Sequence, residues 1–137
     1  MKTTELMIGD WVLAQFINGD RYARISCIAI DCAVVSVGDR EYEHDFDAVL
    51  PIPITEEMLK ANGFENETAD FWKLRVDDKP HHYSFRLNKG GVFGNEGYNM
   101  NCNIYTITIS YVHELQHALR LCGLNELANN FKVNGNA

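Results

Sequence analysis

Five residues on one short stretch have the types and the spacing of a hydrolytic centre: His113, Glu114, Leu115, Gln116 and His117 fit H-E-x-x-H. On a helix the two imidazoles lie one turn apart, where they can share a zinc ion, and the glutamate can take a proton from water bound to that ion. Such a centre needs a third ligand. No histidine follows His117, and the only downstream carboxylate is Glu126, beyond Gly123.

The surrounding residues do place the motif on a helix. A strand-like run from Ile104 to Ile109 leads in, Ser110 can cap, Arg120 suits the last turn, and Gly123 can take the left-handed stop. At about 100° per residue, Tyr111, Val112, Leu115, Ala118, Leu119 and Cys122 form a core-facing stripe. His113 and His117 point away from it, together with Gln116 and Arg120, and are expected to face solvent. The pentapeptide resembles that of the zincin metalloproteases, whose third ligand is a histidine a few residues on or a glutamate on a separate helix; this spacing fits neither. We therefore expect no catalytic residue, no metal ligand and no cofactor. The alternative is a zinc hydrolase with His113, His117 and Glu126 as ligands and Glu114 as base.

Composition sets the bounds. The chain has 137 residues, 46% hydrophobic and 23% charged, with no apolar run of membrane-spanning length and no secretory h-region. We expect a cytoplasmic protein without a membrane. A formal net charge of −7, with scattered basic residues, disfavours nucleic acid as a partner. Cys27, Cys32, Cys102 and Cys122 show no C-x-x-C spacing and are expected to be reduced and mostly buried.

Along the chain, the first part alternates with period two. Asp10 to Ile17 runs into Asn18-Gly19, Arg21 to Ile30 returns, Cys32 to Val37 follows, and Gly38-Asp39 turns into Arg40 to Leu50. So many short antiparallel strands predict a small SH3-like barrel over residues 1–53. Within it Asp39, Glu41, Glu43, Asp45 and Asp47 share one face of a strand. With no glycine to fold them around an ion, that face is expected to be solvated. Pro51-Ile52-Pro53 is the joint. Thr55 then caps a short helix ended by Asn62-Gly63.

Residues 54–137 are expected to form an α+β unit: this helix, antiparallel strands, and the C-terminal helix packed on their sheet. Trp72, Leu74 and Val76 pair across a turn at Asp77 to Pro80 with Tyr83, Phe85 and Leu87. His81 and His82, adjacent on a strand, point to opposite faces and cannot chelate one ion. The glycine-rich stretch from Asn88 to Asn103 reads as a mobile hairpin or loop, and exposure of its Phe93, Tyr98 and Met100 would make it a contact surface.

Two segments stand out together: PIPITEEMLKANGF (Pro51 to Phe64) and ITISYVHELQHALRLCG (Ile107 to Gly123). The pair resembles a family of small uncharacterised proteins of gut Bacteroides, carried in prophage-like or mobile regions, and covers roughly a quarter of the chain. That resemblance implies a cytoplasmic bacterial or phage accessory protein. It carries over no catalytic or binding residue. The expected function is a non-enzymatic protein-interaction module with an unidentified protein partner.

Overall fold

The computed structural model describes residues 1, 5–68, 71–75, 84–89, 98–102 and 105–133. The turn expected at Asp77 to Pro80, His81, His82, Phe93 and the four glycines of the 88–103 stretch lie outside these. Two compact units are formed: Met1–Pro53 with Val112–Asn129, and Ile54–Tyr111 with Asn130–Ala137.

In the first unit, alternation produces β1 (Trp11–Phe16), β2 (Gly19–Ile28), β3 (Cys32–Val37) and β4 (Arg40–Asp45), followed by a 3-10 turn (Phe46–Ala48) and the two-residue β5 (Val49–Leu50). All neighbours are antiparallel, in the order β4-β3-β2-β1-β5. The expected SH3-like barrel is not formed. The sheet is open, with β4 and β5 as its edges, because the 3-10 turn breaks the strand and leaves β5 only two residues to pair with β1. Its core is Val12, Ala14, Ala23, Ile25, Ala33, Val35 and Val49 with Leu6.

Two details depart from simple alternation. The β1/β2 loop is Ile17-Asn18, with Gly19 already paired to Phe16, so Ile17 is left fully exposed. A bulge between Ile25 and Cys27 shifts the β2/β3 register. One extra residue inverts the inside/outside parity downstream. Cys27 is therefore exposed, contrary to expectation, and Ile28 packs against the core.

The C-terminal helix is the larger correction. α2 (Val112–Leu121) groups with the N-terminal sheet, in contact with β1, and not with the second sheet. Its first amide, Val112 N–H, donates to Ile52 O at 2.8 Å. At the other end Gly123 has φ 80°, Gly123 N–H donates to Arg120 O and Leu124 N–H to Leu119 O, a Schellman ending. α3 (Asn125–Asn129) follows.

In the second unit, α1 (Glu56–Ala61) starts as its residues dictate: Thr55 Oγ1 accepts Met58 N–H, Glu56 and Glu57 sit in the first turn, and Met58 and Leu59 are buried. Gly63, at φ 87°, takes the left-handed conformation after it. A five-stranded antiparallel meander follows, β6 (Phe64–Thr68), β7 (Phe71–Arg75), β8 (Ser84–Lys89), β9 (Tyr98–Cys102) and β10 (Tyr105–Ile109). Of the two forms expected for the 88–103 stretch, the antiparallel β8/β9 pairing gives the hairpin, and Tyr98, only 5% exposed, offers no contact surface. Asn62 is buried and ties the end of α1 to the tail: its Nδ2 donates to Met58 O and Lys132 O, and its Oδ1 accepts Lys132 N–H.

Candidate functional site

Helix α2 buries the centre of its expected apolar stripe, with Val112, Leu115, Ala118 and Leu119 at most 2% exposed, whereas Tyr111 at its start is exposed and Cys122 beyond its end is half-buried. The motif face does not point into solvent. His113 is 6% exposed and Gln116 is fully buried, while His117 and Arg120 are half-buried. The covering wall that this needs is built by the chain's own start, a segment the sequence alone did not connect to the helix.

That segment turns sharply at Met7-Ile8-Gly9-Asp10. Asp10 N–H donates to Met7 O at 3.1 Å, and Gly9 at φ 94° occupies the third position, where a type II turn requires positive φ. A Cβ on Gly9 would lie 3.2 Å from Arg120 Nη2, so glycine also lets the turn approach the helix. The turn then joins the sheet, with Gly9 N–H donating to Ile25 O and Ile25 N–H to Asp10 O.

Asp10 is fully buried and is the centre of the site. Its Oδ2 accepts Met7 N–H at 2.7 Å and His117 Nε2–H at 2.6 Å, and its Oδ1 accepts Arg120 Nη1–H at 3.0 Å. A buried carboxylate is tolerable only when paired and hydrogen-bonded, and here a guanidinium, an imidazole and an amide do both. Gln116 is the second anchor. Its Oε1 accepts Trp11 N–H at 2.9 Å, and its Nε2 donates to Gly9 O and Ala128 O at 3.1 and 3.0 Å. Arg24 closes the group: it lies over the Trp11 ring, 5.1 Å from the centroid, and donates to Gly9 O and to Asn129 O at the end of α3. Burial and the nearby Arg120 lower the Arg24 pKa, and Asp10 opposes that shift.

The two motif histidines meet edge to face, ring centroids 5.6 Å apart. Burial pushes the His113 imidazole below its ordinary value; Asp10 and Glu114 push it back up, His117 lowers it and Glu5 raises it. Two imidazoles and a carboxylate therefore converge, but not as a zinc site. With metal–ligand bonds of about 2.1 Å in tetrahedral array, a nitrogen and an oxygen ligand stand about 3.4 Å apart, whereas His117 Nε2 and Asp10 Oδ2 are in direct hydrogen bond at 2.6 Å. The Arg120 guanidinium on the same carboxylate is a further cation that an incoming ion would have to displace. Among the described residues no set of three His, Cys, Asp or Glu side chains is placed to hold a metal ion. Glu126, the alternative third ligand, is an exposed first-turn residue of α3. Glu114, the alternative base, is half-buried on α2.

The acidic run behaves as expected of a solvated face. Glu41, Glu43, Asp45 and Asp47 are exposed, while Tyr42 and Phe46 pack against the sheet core.

No family model matches this chain, and no curated protein or solved structure does.

What the sequence reading missed is Asp10, and one signal could have found it. His113, Gln116, His117 and Arg120, at i, i+3, i+4 and i+7, form a stripe rich in hydrogen-bond donors that contains neither lysine nor carboxylate. Solvated helix faces usually mix both charges. A donor-rich stripe without an anion calls for a carboxylate from elsewhere.

Proposed function

We propose that this chain is a non-enzymatic interaction module, a cytoplasmic accessory protein of a bacterium or of a phage or mobile element. The second half of that statement draws on the resemblance of the Pro51 to Phe64 and Ile107 to Gly123 segments to the gut Bacteroides family. The first half is supported by one observation above the others: His117 Nε2, the atom a zinc hydrolase would use as ligand, is bonded to the buried Asp10 at 2.6 Å. A hydrolytic metal centre keeps its ligand atoms on the ion and one coordination position open. Here the motif's polar atoms fasten the chain's start to a helix. Among the described residues no helix is long and apolar enough to cross a membrane. The exposed carboxylates of the β4 edge fit a partner with basic groups.

Metal content and partner capture test the proposal. Purified protein exposed to equimolar zinc and passed over a desalting column should retain none, and a chelator should leave its melting temperature unchanged. One zinc per chain, lost in the His113→Ala/His117→Ala variant, would establish the hydrolase instead. A partner cross-linked in host cells should rebind as a purified component, and more weakly in high salt.

A further inference from the structure

Between the buried Leu6 and Val12, the only side chain of the chain's opening segment that is fully buried is Asp10; Met7 and Ile8 are 45% and 66% exposed. The segment is thus held down by polar bonds, not by apolar packing. Four of its amides are tied: Met7 to Asp10 Oδ2, Gly9 to Ile25 O, Asp10 to Met7 O and Trp11 to Gln116 Oε1. Its Asp10 bonds His117 at 2.6 Å, and the His117 ring meets, edge to face, that of His113, which is 6% exposed.

We propose that residues Met7 to Trp11 form an acid-responsive strap over the His113–His117 pair, closed at neutral pH and loosened when the buried imidazole takes up a proton. Among the described residues, the charged and titratable groups near His113 come from three elements. The opening segment brings Asp10 and Glu5, and α2 brings Glu114, His117 and, on the same carboxylate, Arg120. Arg24 of β2 stands against Asp10 and Arg120. Asp10 already holds a guanidinium and an imidazole, so a charge on His113 adds a further cation to a site with one fully buried anion.

The sign follows from burial. With the strap closed, His113 binds a proton less readily than a hydrated imidazole does, chiefly through desolvation. Opening rehydrates the ring and takes up a proton. Closure is therefore complete above the ordinary imidazole value of about 6.5 and is lost as pH falls below it. If the closed form stays unprotonated, the opening constant rises about tenfold between pH 7.5 and pH 5.5.

Amide hydrogen exchange by NMR on the full chain reads this directly. After correction for intrinsic rates, protection at Met7, Gly9, Asp10 and Trp11 should fall about tenfold from pH 7.5 to 5.5. Protection at Cys122 and Leu124, bonded at the end of α2, should stay constant. In His113→Gln the strap amides should lose this pH dependence. The same fall in the variant, or a parallel fall at Cys122 and Leu124, would overturn the proposal. Should the variant not fold, the His113 Hε1 titration in the wild type decides: a midpoint below the ordinary imidazole value supports the strap, and one at or above it overturns it.

Discussion

Asp10 concentrates the consequences of the fold in one side chain. It accepts from Met7 N–H, His117 Nε2 and Arg120 Nη1 while fully buried, and Arg120 is only 14% exposed. Removing the carboxylate leaves a buried guanidinium without its anion, so Asp10→Ala should cost about 3–5 kcal/mol, less whatever water reaches the quarter-exposed His117. Asp10→Asn keeps the acceptor but not the charge and should cost less. Urea denaturation at constant m-value measures both, and a loss under 1 kcal/mol for the alanine variant would contradict a buried ion pair. A second residue-scale outcome concerns the thiols. The hydrogen bond from Cys32 Sγ to Glu43, burial and the charges of Glu43 and Asp31 push the Cys32 thiol up to about 11. The thiolate is the reactive form, so at pH 8 iodoacetamide should alkylate the exposed Cys27 well before Cys32. Glu43→Gln should accelerate Cys32. Equal rates for the two thiols in the wild type would show that neither burial nor Glu43 protects Cys32.

At the scale of elements, local codes were readable and tertiary ones were not. α1 follows from Thr55, the two glutamates after it and Gly63, all within one short stretch. Because that start signal rests on Thr55 Oγ1 accepting Met58 N–H, Thr55→Ala should cost about 1 kcal/mol, measured by urea denaturation. No change would mean that water serves the amide equally well. The hairpins of the first sheet were likewise visible as alternation broken by Asn-Gly and Gly-Asp. The bulge beside Ser26 was not, since nothing in the run of Ile25 to Ile28 marks an extra residue, and it alone decides that Cys27 faces out. Nor was the closure of the sheet legible: alternation gives strands but does not say whether β4 and β5 meet. The bounds of α2 are legible, but neither the sheet it joins nor the burial of the face carrying Gln116 is, because the groups that meet that face come from 105 to 107 positions away.

On the scale of the molecule, the first unit is discontinuous in sequence: Met1–Pro53 is completed by Val112–Asn129. A fragment of residues 1–53 therefore lacks the partners of Asp10, Trp11 N–H and Gly9 O. It should show no fixed near-ultraviolet signal from Trp11 when alone and gain one on adding a synthetic peptide of residues 112–129. A fragment that melts cooperatively without the peptide would show the helix to be dispensable. The same discontinuity matters during translation. Asp10 and His117 are 107 positions apart, and at roughly 5–20 residues per second a ribosome needs on the order of 5–20 s to add the chain between them. In the later part of that interval the strands up to Leu50 have left the ribosome without their helix. The carboxylates along β4 discourage neighbouring nascent chains on a polysome from pairing with that edge before α2 arrives.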